Sequence, residues 1–495
     1  MVLDSGRAVE GEIIKETPYE VVVKLPSGIS VTIARDEIIE IKRKTDVVDQ
    51  FKKKRAAVRD DDLFSLMELA KWCKQYGLKE QQKEVLQTIL KLDSTDGYAT
   101  RELAILEGKL PPPKEGEENK SEDDEITWEK QFEGKEIVKN VDKKIFEETK
   151  KSNKKKYKRI EESKNKPKGA NSAALKGLQY LSQKGWHVKY AHAGRVVTTA
   201  FTGLAFLASG SDAFINRING TTNQVAVSIK KYCIGKRPPA GKFDQANWAL
   251  GIGGMFLNEA LYVYKSSELR NTLQQVVNQL VINIEESGGY GHDGSGQNVL
   301  GYTEVEIVSN FVVSTFGMAK SQGVKIPKEK EQAAVDYISK CFDKKGIAYS
   351  HVNKGTAHVG RTAGAVFALT MAKQQDNEVY NKLCDIVNSQ MDQVIYGHAS
   401  PALSFFQTAI GSIQMGQETW DSFVEKWFPV ILEHQNPDGS FRPILNKNEP
   451  GMNTEENMGP AYATSIYTLI LLLDKGNLHF HSTCFKKEKE DKPEE

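Results

Sequence analysis

A chain of 495 residues is longer than one ordinary domain requires, and 39% hydrophobic with 27% charged residues is the balance of a folded globular protein. Its 67 Lys and Arg against 66 Asp and Glu leave a net charge of +1, so bulk electrostatics recommend neither a nucleic-acid nor a membrane partner. No stretch reaches the roughly 18–20 uninterrupted apolar residues of a membrane span, and 458–473, the longest uncharged stretch near the C-terminus, reads as a buried helix.

Five cysteines, none in a CxxC pair, argue against a disulfide framework or a zinc knuckle and suggest a reducing compartment. Met1 runs into strand-like sequence without a basic-then-apolar leader, which leads us to expect a cytoplasmic protein. An exported chain whose leader had been removed would read the same way.

Residues 1–44 contain short Val- and Ile-rich runs separated by Pro18, the Pro26-Ser27-Gly28 turn and Asp36, the pattern of a small antiparallel β module. From 46 to 108 the period changes. Leu63, Leu66, Leu69, Ala70 and Cys73 recur at helical spacing, Gly77 interrupts, Val85 to Leu92 resume, and Ala99, Leu103 and Leu106 form a third short helix. This helix–Gly turn–helix resembles a tetratricopeptide unit. A single such unit cannot cover its own apolar face, so it is expected to pack on its neighbours.

Residues 109–169 read as a charged linker. The part from 111 to 168 holds 17 Lys/Arg and 15 Asp/Glu in 58 residues, too polar overall to offset its ordering entropy. The last residues, 477–495, read as a charged tail.

Between 170 and 476 two kinds of helical segment alternate. One is amphipathic and charged (268–286, 328–342, 378–391, 419–433) and the other nearly uncharged (196–209, 247–263, 400–415, 458–473). Helices with one polar face lie at a surface, and helices apolar nearly all round are buried. Their strict alternation predicts an outer ring around an inner ring. The pairs are 171–184 with 194–209, 221–233 with 245–264, 268–286 with 302–320, 328–342 with 359–373, 378–391 with 400–415, and 419–434 with 458–473. The expected fold is mainly α: an (α/α)6 toroid behind a small β module and a tetratricopeptide-like segment.

The outer-to-inner connections share Gly followed by an aromatic, as in Ser287-Gly288-Gly289-Tyr290-Gly291-His292 and Gln435-Asn436-Pro437-Asp438-Gly439-Ser440-Phe441. That repeat resembles the α/α-toroid superfamily of terpenoid cyclases and protein prenyltransferase β subunits. Gly301-Tyr302-Thr303-Glu304 and Tyr396-Gly397-His398-Ala399-Ser400 look more like an uncharacterised bacterial toroid family, some of whose members carry β and tetratricopeptide-like modules in front. The resemblance implies architecture and no established activity. The chemistry of the named enzymes does not carry over. The toroid has no Asp-x-Asp-Asp acid motif and no Asp-rich Mg²⁺-diphosphate site, and Cys341-Phe342-Asp343 reverses the prenyltransferase zinc motif.

Six histidines, His187, His192, His292, His351, His358 and His398, lie in or just after outer-to-inner connections, which all emerge on one face of a toroid. They are expected on one rim with Glu304, Asp293, Tyr302, Arg361, Tyr349 and Tyr462. Inner helices begin there, and free helix N-termini would attract anions. A metal site lacks HxxxH or HExxH spacing, so no metal and no cofactor are predicted. Asn247-Trp248 reads as core. Arg361, a cation in a first turn, needs a local partner such as Glu304 or an anionic ligand. The expected function is ligand binding or scaffolding through the toroid cavity, with Tyr302, Arg361, His292, His351, His358, Tyr349 and Tyr462 as lining. The ligand would be a carbohydrate, an isoprenoid or an anion, and the N-terminal modules would meet a protein partner. The alternative is an enzyme, a hydrolase, lyase or cyclase-like protein acting on a polysaccharide or isoprenoid-like substrate, in which Glu304 and His398 form an acid–base pair.

Overall fold

The computed structural model describes residues 2–3, 12–17, 20–24, 30–35, 38–40, 44–58, 66, 69–70, 72–74, 76–92, 97–109, 137–138, 141, 144–149, 160–183, 193–235, 245–293, 305–395, 400–445 and 454–480. They fall in two compact units, 1–123 and 124–495. Among the described residues no helix is long and apolar enough to cross a membrane.

In the first unit, β2 (Glu12–Glu16), β3 (Glu20–Lys24) and β4 (Ser30–Ala34) form an antiparallel sheet, and β1 (Val2–Leu3) pairs with β5 (Ile38–Glu40). Alternation puts Val21, Val23 and Ile33 into a minimal core. The helices α1 (Lys44–Ala57), α2 (Lys79–Leu92) and α3 (Gly97–Leu106) follow. Leu66, Leu69, Ala70 and Cys73 join Val85, Leu86 and Ile89 in one cluster, and α1 adds Val47 and Phe51. The neighbour that covers the apolar face is therefore α1. Gly77 makes the turn at φ +67°, a conformation that suits glycine.

The second unit is the expected double ring. Its outer helices are α4 (Ala170–Ser182), α6 (Ile215–Tyr232), α8 (Ser267–Asn283), α10 (Lys328–Lys340), α12 (Tyr380–Ser389) and α14 (Gln417–Glu433). Its inner helices are α5 (Ala193–Ser209), α7 (Ala246–Tyr264), α9 (Glu306–Ser321), α11 (Val359–Met371), α13 (Pro401–Met415) and α16 (Pro460–Leu472), the last preceded by the short α15 (Thr454–Met458). Each inner helix packs on the next, and α16 returns to α5, which closes the ring. A two-strand turn, β6 (Phe342–Asp343) with β7 (Gly346–Ile347), lies between α10 and α11.

Close approach in the inner ring uses glycine. A Cβ on Gly317 would lie 2.2 Å from the Met371 carbonyl oxygen, and one on Gly411 would lie 2.4 Å from that of Ala363. The centre is filled. Phe201 of α5 meets Phe406 of α13 edge-on at 5.0 Å between centroids, and Phe406 stacks on Phe311 of α9 at 6.4 Å. These helices are not neighbours in the ring, so the three rings meet across its axis.

Two segments outside the expected toroid limits belong to this unit's core. Ile137, Val138, Val141 and Phe146 are buried in it, although they lie in the stretch read as a charged linker. The Asn223 amide stands in for a strand there: its oxygen accepts the Ile137 and Val138 N–H groups at 2.8 and 2.9 Å, and its nitrogen donates to the Val138 carbonyl at 3.0 Å. A few apolar residues thus hold the strip while the average composition stays polar. At the other end Leu478 and Phe480 are buried past Gly476.

Candidate functional site

The outer-to-inner connections knit the rim together. The Asn247 N–H, at the start of α7, donates to the His292 carbonyl at 3.2 Å, and its side-chain amide donates to the carbonyls of Gly291 and Asp293. The Glu306 N–H, opening α9, donates to the Tyr349 carbonyl at 2.9 Å. His358 caps α11, with Nδ1 accepting the Gly360 N–H at 3.1 Å and Nε2 3.1 Å from the Gln393 carbonyl, to which it donates as the Nε2–H tautomer. At α13 the Ala402 N–H and the Ser400 hydroxyl donate to Glu455 Oε1 at 2.5 and 3.2 Å. In each case the start of one inner helix is held by the connection ahead of the next. This narrows the expectation of anion-attracting free helix ends: at α7, α9 and α13 the neighbouring pair meets a first-turn N–H, and at α11 the His358 ring does.

The expected site residues divide accordingly. Glu304, Tyr302 and His398 lie outside the described residues, as do His187 and His192. The helix predicted to start at 302 opens at Glu306 with Val305 as its N-cap, so the first-turn carboxylate is Glu306. Arg361 and Tyr349 are brought together, the guanidinium 5.6 Å from the ring centre. Arg361 also donates to the carbonyls of Thr356 and Ile347, tying down the connection before its own helix. His292 Nδ1 accepts from Trp248 Nε1 at 2.9 Å, and burial pushes its pKa down to about 4, so the imidazole is neutral at neutral pH. His351 packs edge-on against Tyr337. Tyr462 is buried in the first turn of α16, its hydroxyl 3.3 Å from Ser400 Oγ and its ring against Phe201. Among the described residues no group of three or more His, Cys, Asp or Glu is placed to hold a metal ion.

Four polar residues emerge that sequence reasoning did not select. Burial pushes the Glu306 carboxyl well above the ordinary carboxylate range, against the opposing pull of Arg361 and Asn310. Neither of its oxygens has a hydrogen bond of good geometry. One turn on, Asn310 donates to the Arg361 carbonyl at 3.1 Å, while its Oδ1 is unpartnered. Gln407 of α13 is buried with both its amide oxygen and its nitrogen unpartnered. The Asn310 and Gln407 amides meet over Gly364 of α11, 2.8 and 2.6 Å from where a Cβ would stand. Their chain neighbours Phe311 and Phe406 are the two stacked rings of the aromatic closure, each the sixth residue of its helix. At 1.5 Å per residue this level lies roughly 7–8 Å below the rim. The fourth, Glu455, caps α13, and burial pushes its carboxyl up to about 7.

Residues 173–474 match the family described as a domain of unknown function, DUF6288. The chain belongs to that family. No curated protein matches it. Among solved structures it is similar to a protein described as a polysaccharide lyase, at 10% identity and a TM-score of 0.40, over 62% of this chain and 97% of that one. It is also similar to a possible member of the GH105 family from Salmonella enterica serovar Paratyphi A, at 11% identity and a TM-score of 0.28, over 61% and 92%. The DUF6288 match runs from inside α4 to just past α16, so it spans the ring and leaves out both Phe146 and Phe480.

One signal for Glu306 was available: a carboxylate at the head of an otherwise uncharged run, Ile307 to Met318. Asn310 and Gln407 carried none, because single amides are common in buried helices and only ring closure sets them beside each other.

Proposed function

We propose that the DUF6288 ring binds an uncharged, hydroxyl-rich ligand of the carbohydrate class in the mouth of the toroid, over the aromatic closure. The observation that carries this reading is the Asn310–Gln407 pair: three buried amide atoms, one donor and two acceptors, without protein partners. A buried polar group left unpaired costs about 1–3 kcal/mol, so an amide kept there against that cost is suited to a partner from outside the chain. Amides that both donate and accept match hydroxyls, which do the same. The Phe311 and Phe406 rings beside them offer apolar faces for the C–H side of a sugar ring. An extended isoprenoid is less suited, since the three phenylalanines occupy the axis. An anion is less suited because carbonyls and Glu455 already meet helix N-termini.

The test is calorimetric titration of the full chain with neutral oligosaccharides of several linkages. We expect saturable binding that is lost in Asn310→Ala and Gln407→Leu. A panel without binding, or binding untouched by both changes, would refute the reading.

A second reading rests on Glu306. A carboxyl whose neutral form is favoured by burial, beside the Arg361–Tyr349 pair, is shifted in the direction a general acid needs. In that reading the protein is a toroid enzyme on a polysaccharide, with Glu304 and His398 as its other candidates. Turnover of any polysaccharide that survives Glu306→Gln unchanged removes Glu306 from it.

A further inference from the structure

At the face of the ring opposite the rim, where the inner helices end, the segment Asn477–Phe480 is docked through its backbone. Glu259, near the C-terminal end of α7, accepts the His479 N–H at 2.7 Å and the Phe480 N–H at 2.9 Å. The His479 ring stacks on Tyr262 at 3.5 Å between centroids. Phe480 is 2% exposed, lies edge-on against Phe367 of α11 at 5.3 Å, and accepts from Gln414 of α13 at 3.4 Å through its carbonyl. Asn477 donates to the Ala208 carbonyl at the end of α5. One short stretch of chain therefore touches four inner helices.

We propose that Asn477–Phe480 is a proton-coupled latch on this face, held by Glu259 and released as the pH rises through neutrality. Docked, the segment seals Glu259 from water, and burial pushes the carboxyl up to about 7 even though two N–H groups favour its charge. Undocked, the carboxyl is hydrated and returns toward its ordinary 4.5. Docking thus favours the protonated form and opening favours the ionised one. Among the described residues no charged side chain is among the causes of that shift. The strip ahead of the ring contributes Phe146 and Thr149, and α5 contributes Leu207. Among the residues around the small cavity beside Glu259, Tyr262 and His479 are its titratable companions. Linkage between 4.5 and 7 makes the opening equilibrium about tenfold larger at pH 8 than at pH 6.

Hydrogen exchange of the His479 and Phe480 amides in the full chain, corrected for the intrinsic rate, reads this directly. Protection should fall about tenfold from pH 6 to pH 8, and Glu259→Gln should abolish the pH dependence. His479→Phe, which keeps the stack, separates the two titratable groups and serves if Glu259→Gln does not fold: the pH dependence should persist in it. Constant protection in the unmodified chain, the same dependence in Glu259→Gln, or its loss in His479→Phe would each overturn the proposal.

Discussion

At the scale of single residues, polar groups in the ring interior separate stability from binding. Gln407 spends buried amide atoms without protein partners, so Gln407→Leu should leave the melting temperature unchanged or raise stability by about 1 kcal/mol while abolishing ligand binding. Thermal denaturation beside titration checks both halves, and a large loss of stability would mark Gln407 as a packing residue. Glu455 gives a pH prediction. Its folded pKa is raised from 4.5 to about 7, so its contribution to stability is complete below pH 4.5 and is lost as the pH rises through 7. Melting temperatures measured from pH 4 to pH 8 should decline over that window, and Glu455→Gln should flatten the decline. Of these residues the sequence offered only Arg361, whose awkward place in a first turn pointed to a local partner. Among the described residues its partners include the Tyr349 ring and the carbonyls of Ile347 and Thr356, with Glu306 acting at longer range.

At the scale of elements, the decisive contacts are backbone to side chain. Where α9 crosses α11, Gly317 lies against the Met371 carbonyl, and backbone cannot step aside as a side-chain tip can. Gly317→Ala should cost about 1–3 kcal/mol by chemical denaturation, with the helical content of the folded state unchanged. The strip ahead of α4 is fastened by Lys166, whose ammonium lies 2.8 Å from the fully buried Asp474 carboxylate. Lys166→Met leaves that charge unpaired and should cost about 3 kcal/mol, whereas the double change Lys166→Met with Asp474→Leu should recover much of it. Helix identity and pairing were legible from composition alone, because a buried ring helix must shed its charges and an outer one must keep them. The start of α9 was placed four residues early, since Tyr302 and Glu304 continue the pattern while the backbone turns helical only at Glu306. The apolar strip at 137–146 was hidden by its charged surroundings.

At the scale of the whole molecule, the chain has separate apolar cores in its two units. Calorimetry should therefore resolve more than one unfolding transition, and the larger should persist in a chain lacking residues 1–123. A single transition lost on that truncation would show that the ring depends on the first unit.

The ring is legible in the chain's own pattern: alternating charged and uncharged helices, with glycine and an aromatic at most returns, admit few arrangements other than two concentric layers. The pattern also placed the connections on one rim, because helices that alternate in direction must return on the same side. What the ring encloses follows from its closure in three dimensions. Phe201, Phe311 and Phe406 are far apart in the chain and meet because three non-adjacent helices face one axis. Asn310 and Gln407 become neighbours because Gly364 has no side chain to separate them. The state of Glu259, Glu306 and Glu455 follows from loss of water around them, and desolvation belongs to the assembled ring rather than to any local run of residues.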